Sequence, residues 1–169
     1  LRTAADMQGL RTRSHTRISE DLLESIGSIA NPVNFGEVYQ AFQVDQLDAA
    51  LSCSSCGAGL KWHEVANYLV GPIPALGHSW ITINSQRWSE LPLDIQLIIR
   101  EEALRLEAAT KRDSLGVRDQ LGIQENVAAG MEHIQLTPEL KDLMRTAAIT
   151  TIIPRMIEES GGPSSNVVK

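Results

Sequence analysis

No apolar run in this sequence approaches the roughly 18–20 residues that a helix needs to cross a bilayer, so nothing in it reads as membrane-spanning. No lysine and arginine cluster is dense enough to meet a phosphate backbone. The balance runs the other way, with a formal net charge of −6 and a pI of about 5.2. No nucleic-acid partner is expected. The four histidines, His15, His63, His78 and His133, are scattered, and no HExxH, GxSxG or P-loop pattern is present. No nucleophile is seen beside a base. Glu101 and Glu102 form an acidic pair, but adjacent acids on an amphipathic helix usually face water. A signal peptide is missing too. Because the chain opens on Leu1 without a methionine, it reads as a truncated or processed piece, and the missing leader says nothing about compartment.

What is present suffices for a core. Hydrophobic residues make up 43% and charged residues 21%, which argues against global disorder. At 169 residues the chain is one domain or part of a two-lobed protein. The two cysteines form a single CxxC, Cys53-Ser54-Ser55-Cys56. A zinc site would need two more ligands, and only His63 is near. A redox role would need the pair at a strand-to-helix turn, where a helix N-terminus lowers a thiol pKa, and the position after 47–51 allows that. The plainer reading is two small loop residues, oxidised to each other.

Along the chain, 10–13 reads as a short strand ending in Arg13. A helix over 19–26 follows, with Ser19 as cap, Leu22, Leu23 and Ile26 buried, and Gly27 as its stop. Residues 29–34 read as a strand whose Pro32 points to a strand start or a sheet edge. Asn34-Phe35-Gly36-Glu37 has the spacing of a capping box, and Val38, Ala41 and Phe42 line the inner face of the helix it opens. Residues 47–51 suit a buried parallel strand. Strands alternating with helices predict a parallel α/β sheet, with ligands beyond the carboxyl ends of its strands, where Arg13 and Ser52 fall. A helix is expected over 58–69, a break at Gly71-Pro72-Ile73-Pro74, and a strand over 79–84. Next come a long helix from Pro92 with Ile95, Ile99, Ala103 and Leu106 inside, and a strand over 131–136. A last helix begins at Thr137 with Leu140, Leu143, Met144 and Ala147 inside, and Pro154 kinks or ends it. Residues 161–163 stop structure, leaving a loose tail.

Arg13 is the residue with chemistry to offer. A guanidinium at a strand end can take a carboxylate through two parallel hydrogen bonds, whereas Arg11 and Arg17 suit surface ion pairs.

Five ordered motifs then resemble a known family, the solute-binding subunits of tripartite ATP-independent periplasmic (TRAP) transporters of the dicarboxylate-binding type. Asp6-Met7-Gln8-Gly9-Leu10-Arg11-Thr12-Arg13 is similar to its D-x-x-G-L-K-x-R. Glu37-Val38-Tyr39-Gln40-Ala41-Phe42-Gln43 resembles E-V-Y-x-A-L-Q, and Leu47-Asp48-Ala49 resembles V-D-G. His63-Glu64-Val65-Ala66-Asn67-Tyr68-Leu69 resembles Y-E-V-x-K-Y-L. Ile83-Asn84, Trp88 and Leu91-Pro92-Leu93-Asp94-Ile95-Gln96 resemble I-N…W…L-P-x-D-x-Q.

The resemblance implies an α/β, periplasmic-binding-protein-like (type II-like) two-lobed fold. Residues 1–75 would be the second-lobe segment, 76–121 a crossover strand and long connecting helix, 122–160 a strand and helix packing back on the lobes, and 161–169 a flexible tail. It implies a periplasmic receptor, not an enzyme, that binds a small organic acid and delivers it to the membrane permease for uptake driven by an ion gradient. Arg13 would pair with the ligand carboxylate and Phe35 would contact the ligand. Ser52 would stand where many members carry asparagine, with a shorter reach. Leu51 and Ser52 do not match the loop in which some keto-acid binders hold a cation, so neither metal nor cofactor is expected. The competing expectations are a thiol–disulfide oxidoreductase using Cys53 and Cys56, and a helical interaction protein without a ligand.

Overall fold

A computed structural model describes residues 4–73, 81–114 and 117–162. The chain divides into two units, residues 1–74 with 122–169, and residues 75–121.

The first unit is organised on a three-stranded parallel sheet. Its central strand, β1 (Arg11–Ser14), pairs with β2 (Ile29–Pro32) in the register Arg13↔Asn31 and with β3 (Ala49–Ala50) in the register Arg13↔Ala50. Thr12, Arg13 and Ser14 are buried, as a strand flanked on both sides requires. Pro32 is the last residue of an edge strand, where its missing N–H breaks no ladder.

The crossover between β1 and β2 is α1 (Arg17–Ser25). Its cap is Thr16, not the expected Ser19. The Thr16 hydroxyl accepts from the Ser19 amide (3.1 Å), and the Ser19 hydroxyl accepts from the Thr16 amide (2.9 Å), so a serine fills the returning role usually held by Glu or Gln. Gly27 ends the helix at φ +87°, and a Cβ there would run into the Gln8 side-chain amide.

Asn34 is not a helix cap either. Its amide nitrogen donates to the Glu37 carboxylate (3.2 Å), and Phe35–Glu37 forms a 3-10 turn before α2 (Val38–Gln43). Val38 and Ala41 of α2 pack with Val33, Leu47 and Trp62 in one core cluster. Of the strand expected over 47–51, Ala49–Ala50 pairs residue for residue with β1, and the Asp48 and Leu51 amides donate to the Arg11 and Arg13 carbonyls (2.9 and 3.1 Å).

The helix expected over 58–69 is absent. Instead α3 (Ser54–Gly59) stops at a glycine, and Lys61 takes a left-handed φ of 56°. Trp62 thereby turns inward, opening a 3-10 turn (Trp62–Glu64), and β4 (Tyr68–Val70) follows. Burial of the indole outweighs the weak helical periodicity of that stretch. β4 pairs in parallel with β5 (Glu132–Ile134) to make a second sheet, which falls within the strand expected over 131–136.

α7 (Pro138–Ala147) is capped by Thr137, whose hydroxyl accepts from the Leu140 amide (3.3 Å). Leu140 and Met144 join Met7, Leu23, Ile26 and Leu136 in the other core cluster. A π-helical turn, Ala148–Ile152, then leads into α8 (Ile153–Glu159), with Pro154 in its first turn. The widened turn lies where a regular helix would drive the proline ring into a carbonyl four residues back. Arg155 of α8 pairs with the buried carboxylate of Asp21 on α1.

The second unit contains α4 (Ser85–Glu90) and α5 (Leu93–Ser114), and α6 (Val117–Ala128) begins in it and ends in the first. Asn84 caps α4, its side-chain oxygen accepting from the Gln86 and Arg87 amides. The expected inner stripe of α5 is not buried: Ile95, Ile99, Ala103 and Leu106 are all exposed. Of the strand expected over 79–84, residues 81–84 are irregular, and Ser79 and Trp80 lie outside the described residues. So do Pro74 through His78 of the expected crossover and the tail from Pro163 onward.

The carboxyl half of α6 packs against α3. Asn126, 1% exposed, donates to the Ser54 and Gly122 carbonyls (2.9 and 2.7 Å). A Cβ on Gly122 would sit 2.3 Å from the Ser55 nitrogen, so only glycine allows that approach.

Candidate functional site

A cavity of about 730 Å³ opens at the carboxyl ends of β1 and β2, the usual ligand position in a parallel α/β sheet. Arg13, His15, Asn34, Phe35 and Gln40 are among its lining residues. All come from β1, the start of α1, the end of β2 and α2 with its leading turn, within a single unit.

Arg13 is its floor. The residue is 5% exposed, and its guanidinium is held from two sides. Nε donates to the Val33 carbonyl (3.1 Å) just past β2, and Nη1 donates to the Leu51 carbonyl (3.0 Å) just past β3. Both partners are neutral. Among the described residues no carboxylate forms an ion pair with Arg13, whereas the other two arginines of the segment are paired. Arg11 grips both Asp48 carboxylate oxygens (2.8 and 2.6 Å), and Arg17 lies 3.7 Å from Glu20 and from Asp21. Burial lowers the Arg13 pKa from its ordinary value. A buried cation that lacks an acid partner is a costly arrangement, relieved by an external anion.

Phe35 lies beside this charge, with the Arg13 guanidinium carbon 5.7 Å from its ring centroid. The ring is partly exposed toward the cavity and is held edge-on by Trp62 (centroids 5.8 Å apart, planes at 61°). The site therefore offers a guanidinium and an apolar ring side by side. Asn34, Gln40 and Gln46 add neutral donors and acceptors, and Glu20 and Glu37 lie at its edge.

The structure thus brings Arg13 and Phe35 together. Ser52 follows Leu51 beyond β3, is half-buried, and is not among the residues that line this cavity. Among the lining residues that escaped sequence reasoning are His15, Gln40 and Gln46. Gln40 had a signal, since it lies three positions after Glu37 on the polar side of the helix opposite Val38 and Ala41. His15 lies two residues beyond Arg13, the spacing that keeps side chains on one side of an extended chain. Its pKa is lowered, by burial first and by the Arg13 charge second.

Cys53 and Cys56 are joined as a disulfide at the turn between β3 and α3. Among the described residues, no His, Cys, Asp and Glu side chains gather in threes where they could hold a metal. No helix there is long and apolar enough to cross a membrane.

Residues 1–159 match the family model of the bacterial extracellular solute-binding proteins, family 7 (DctP). Among solved structures, the chain is similar to a TRAP solute-binding protein from Rhodoferax ferrireducens crystallised with copurified benzoate. Identity is 23% and the TM-score 0.77, over 96% of this chain and 52% of that one. It is also similar to a Bordetella pertussis extracytoplasmic solute receptor binding pyroglutamic acid (16% identity, TM-score 0.77, 90% of this chain and 50% of that one). A third similar structure is a TRAP periplasmic solute-binding protein from Pseudomonas aeruginosa with bound L-malate (18%, 0.73, 87% and 52%). These likenesses establish the periplasmic-binding-protein-like fold, and the chain spans about half the length of the proteins it matches. None of them supports a thiol–disulfide oxidoreductase.

Proposed function

The chain belongs to the bacterial extracellular solute-binding protein family 7, and we propose that it serves a tripartite ATP-independent periplasmic transporter as the receptor for a small organic acid. The observation that carries this reading is Arg13: buried, braced by two carbonyls, and without an acid partner among the described residues. The ligand carboxylate docks on its guanidinium by charge-assisted hydrogen bonds. Phe35 packs against the body of the acid, and Ser52, past the end of β3 and outside the lining of this cavity, donates to a polar group on a part of the acid that extends beyond it. In this reading residues 1–75 are a lobe segment, 76–121 the crossover and connecting helix, and 122–160 pack back on the lobes. The receptor works in the periplasm, releases its cargo unchanged to the membrane permease, and catalyses nothing.

Substituting Arg13→Ala in the complete protein leaves the ligand carboxylate without its partner. The expected loss is at least about tenfold in affinity, or about 1.4 kcal/mol. Isothermal calorimetry reads it, using whichever of L-malate, pyroglutamate, D-glucuronate and benzoate raises the melting temperature most. Unchanged affinity removes Arg13 from the site, and an Arg13-independent acid would place the carboxylate elsewhere.

A further inference from the structure

We propose that His15 is a second contact for the bound acid and makes its capture proton-linked, the imidazole taking up a proton as the ligand binds. This rests on the receptor reading above and adds to it a specificity-determining residue.

The argument begins with position. His15 follows the last residue of β1 and lines the same cavity as Arg13, two residues away along an extended segment. Its backbone is fixed, because its amide donates to the Ser19 hydroxyl (3.0 Å), the same hydroxyl that completes the cap of α1. The ring thus stands on a rigid base at the rim, accessible to a molecule in the cavity.

The charges around it come from three elements. β1 contributes Arg13, α1 contributes Arg17 and Glu20, and the turn before α2 contributes Glu37. The two acids are engaged: Glu20 lies 3.7 Å from Arg17, and Glu37 accepts from Asn34 (3.2 Å). Among the described residues Arg13 has no such acid, and its charge acts on His15.

Burial and the Arg13 cation together hold the imidazole toward its neutral form. A carboxylate seated on Arg13 replaces a net positive neighbour with a neutral pair, and its second oxygen offers an acceptor to a ring N–H. Both effects favour imidazolium. The pKa of His15 is therefore higher in the complex than in the free protein, and the ligand binds more tightly as pH falls through the histidine range. Monocarboxylic acids, with pKa values of about 4, stay ionised throughout that range, so with such a ligand the proton belongs to the protein.

Calorimetry on the complete protein tests this, with the strongest stabiliser among the three monocarboxylic acids named above, pyroglutamate, D-glucuronate and benzoate, as probe. Measurements at pH 6.5 in two buffers of different ionisation enthalpy give the protons taken up per ligand. We expect fractional uptake, and an affinity at pH 5.5 about threefold or more above that at pH 7.5. His15→Gln should abolish the uptake and flatten the pH profile. As a check that needs no variant, the His15 ring resonance in NMR should titrate at higher pH with ligand than without. Zero uptake, uptake that survives in His15→Gln, or an unshifted ring titration overturns the inference while Arg13-dependent binding leaves the receptor reading standing. If none of the four acids binds, the receptor reading fails and this inference with it.

Discussion

α7 and α5 are both helices with an apolar stripe in their sequence, and the structure treats them oppositely. In α7, Leu140 is 1% exposed, and Met144 and Ala147 are buried with it. In α5, Leu97 is 58% exposed, and Leu93, Leu104 and Leu106 are also open. The short helix is held by its neighbours. The long one carries local pairs instead: Arg105 bridges Glu101 and Glu102 (both 2.7 Å), and Lys111 reaches Glu107. Such pairs contribute only about 0.2–0.5 kcal/mol each, whereas burying one leucine is worth about 1.5–3 kcal/mol. Periodicity therefore announces a helix but does not say whether its apolar face has a partner.

The sharpest way to break this contrast is a pair of truncations. Leu140→Ala should destabilise the first unit by about 2–5 kcal/mol in urea unfolding, through lost burial and the cavity left behind. Leu97→Ala should fall within about 0.5 kcal/mol of the parent. Equal losses would mean that the exposed stripe of α5 is covered in solution.

A smaller effect tests the cap that starts α7. Thr137→Ala removes the hydroxyl that accepts from the Leu140 amide, for an expected loss of about 1 kcal/mol. Because Leu140 anchors the core, its amide exchange with deuterium should speed up as well. Protection unchanged at Leu140 would show that packing alone holds that turn.

The smallest effect separates long-range from local ion pairs. Asp48, held by Arg11 across the chain, has its pKa lowered from 3.8 to about 2, chiefly by the hydrogen bonds from the Arg11 side chain. A depressed carboxylate stabilises the fold above its unfolded pKa, and that contribution is lost as the pH falls from about 4 toward 2. Asp48→Asn should flatten this part of the acid-unfolding curve. An identical curve would show that the fork, which is largely exposed, stabilises the fold no more than the pairs on α5.

Legibility followed the same division. The β1–α1–β2 unit was readable because three signals agree there: a strand, the Leu22, Leu23 and Ile26 stripe, and Gly27 as a stop. Even so, the cap moved to Thr16, since a serine can close a capping box as a glutamate does. The stretch 58–69 misled because its periodicity was weak and the burial of Trp62 is a tertiary event. The candidate site was half visible. A strand-ending arginine draws attention, and the family resemblance, not spacing, singles out Phe35. That no described carboxylate pairs with Arg13, that His15 lines the cavity and that Ser52 is not among its lining residues are spatial facts that no spacing encodes.

The two carbonyls that brace Arg13 belong to residues just past β2 and β3, one on either side of β1. The guanidinium is thus a crosspiece joining three strand ends. If the strands splay, one of these bonds lengthens. The arginine is then a gauge of sheet geometry as well as an anchor. A substitution that loosens the sheet far from the cavity should register first as weaker ligand capture, while the melting temperature has barely moved.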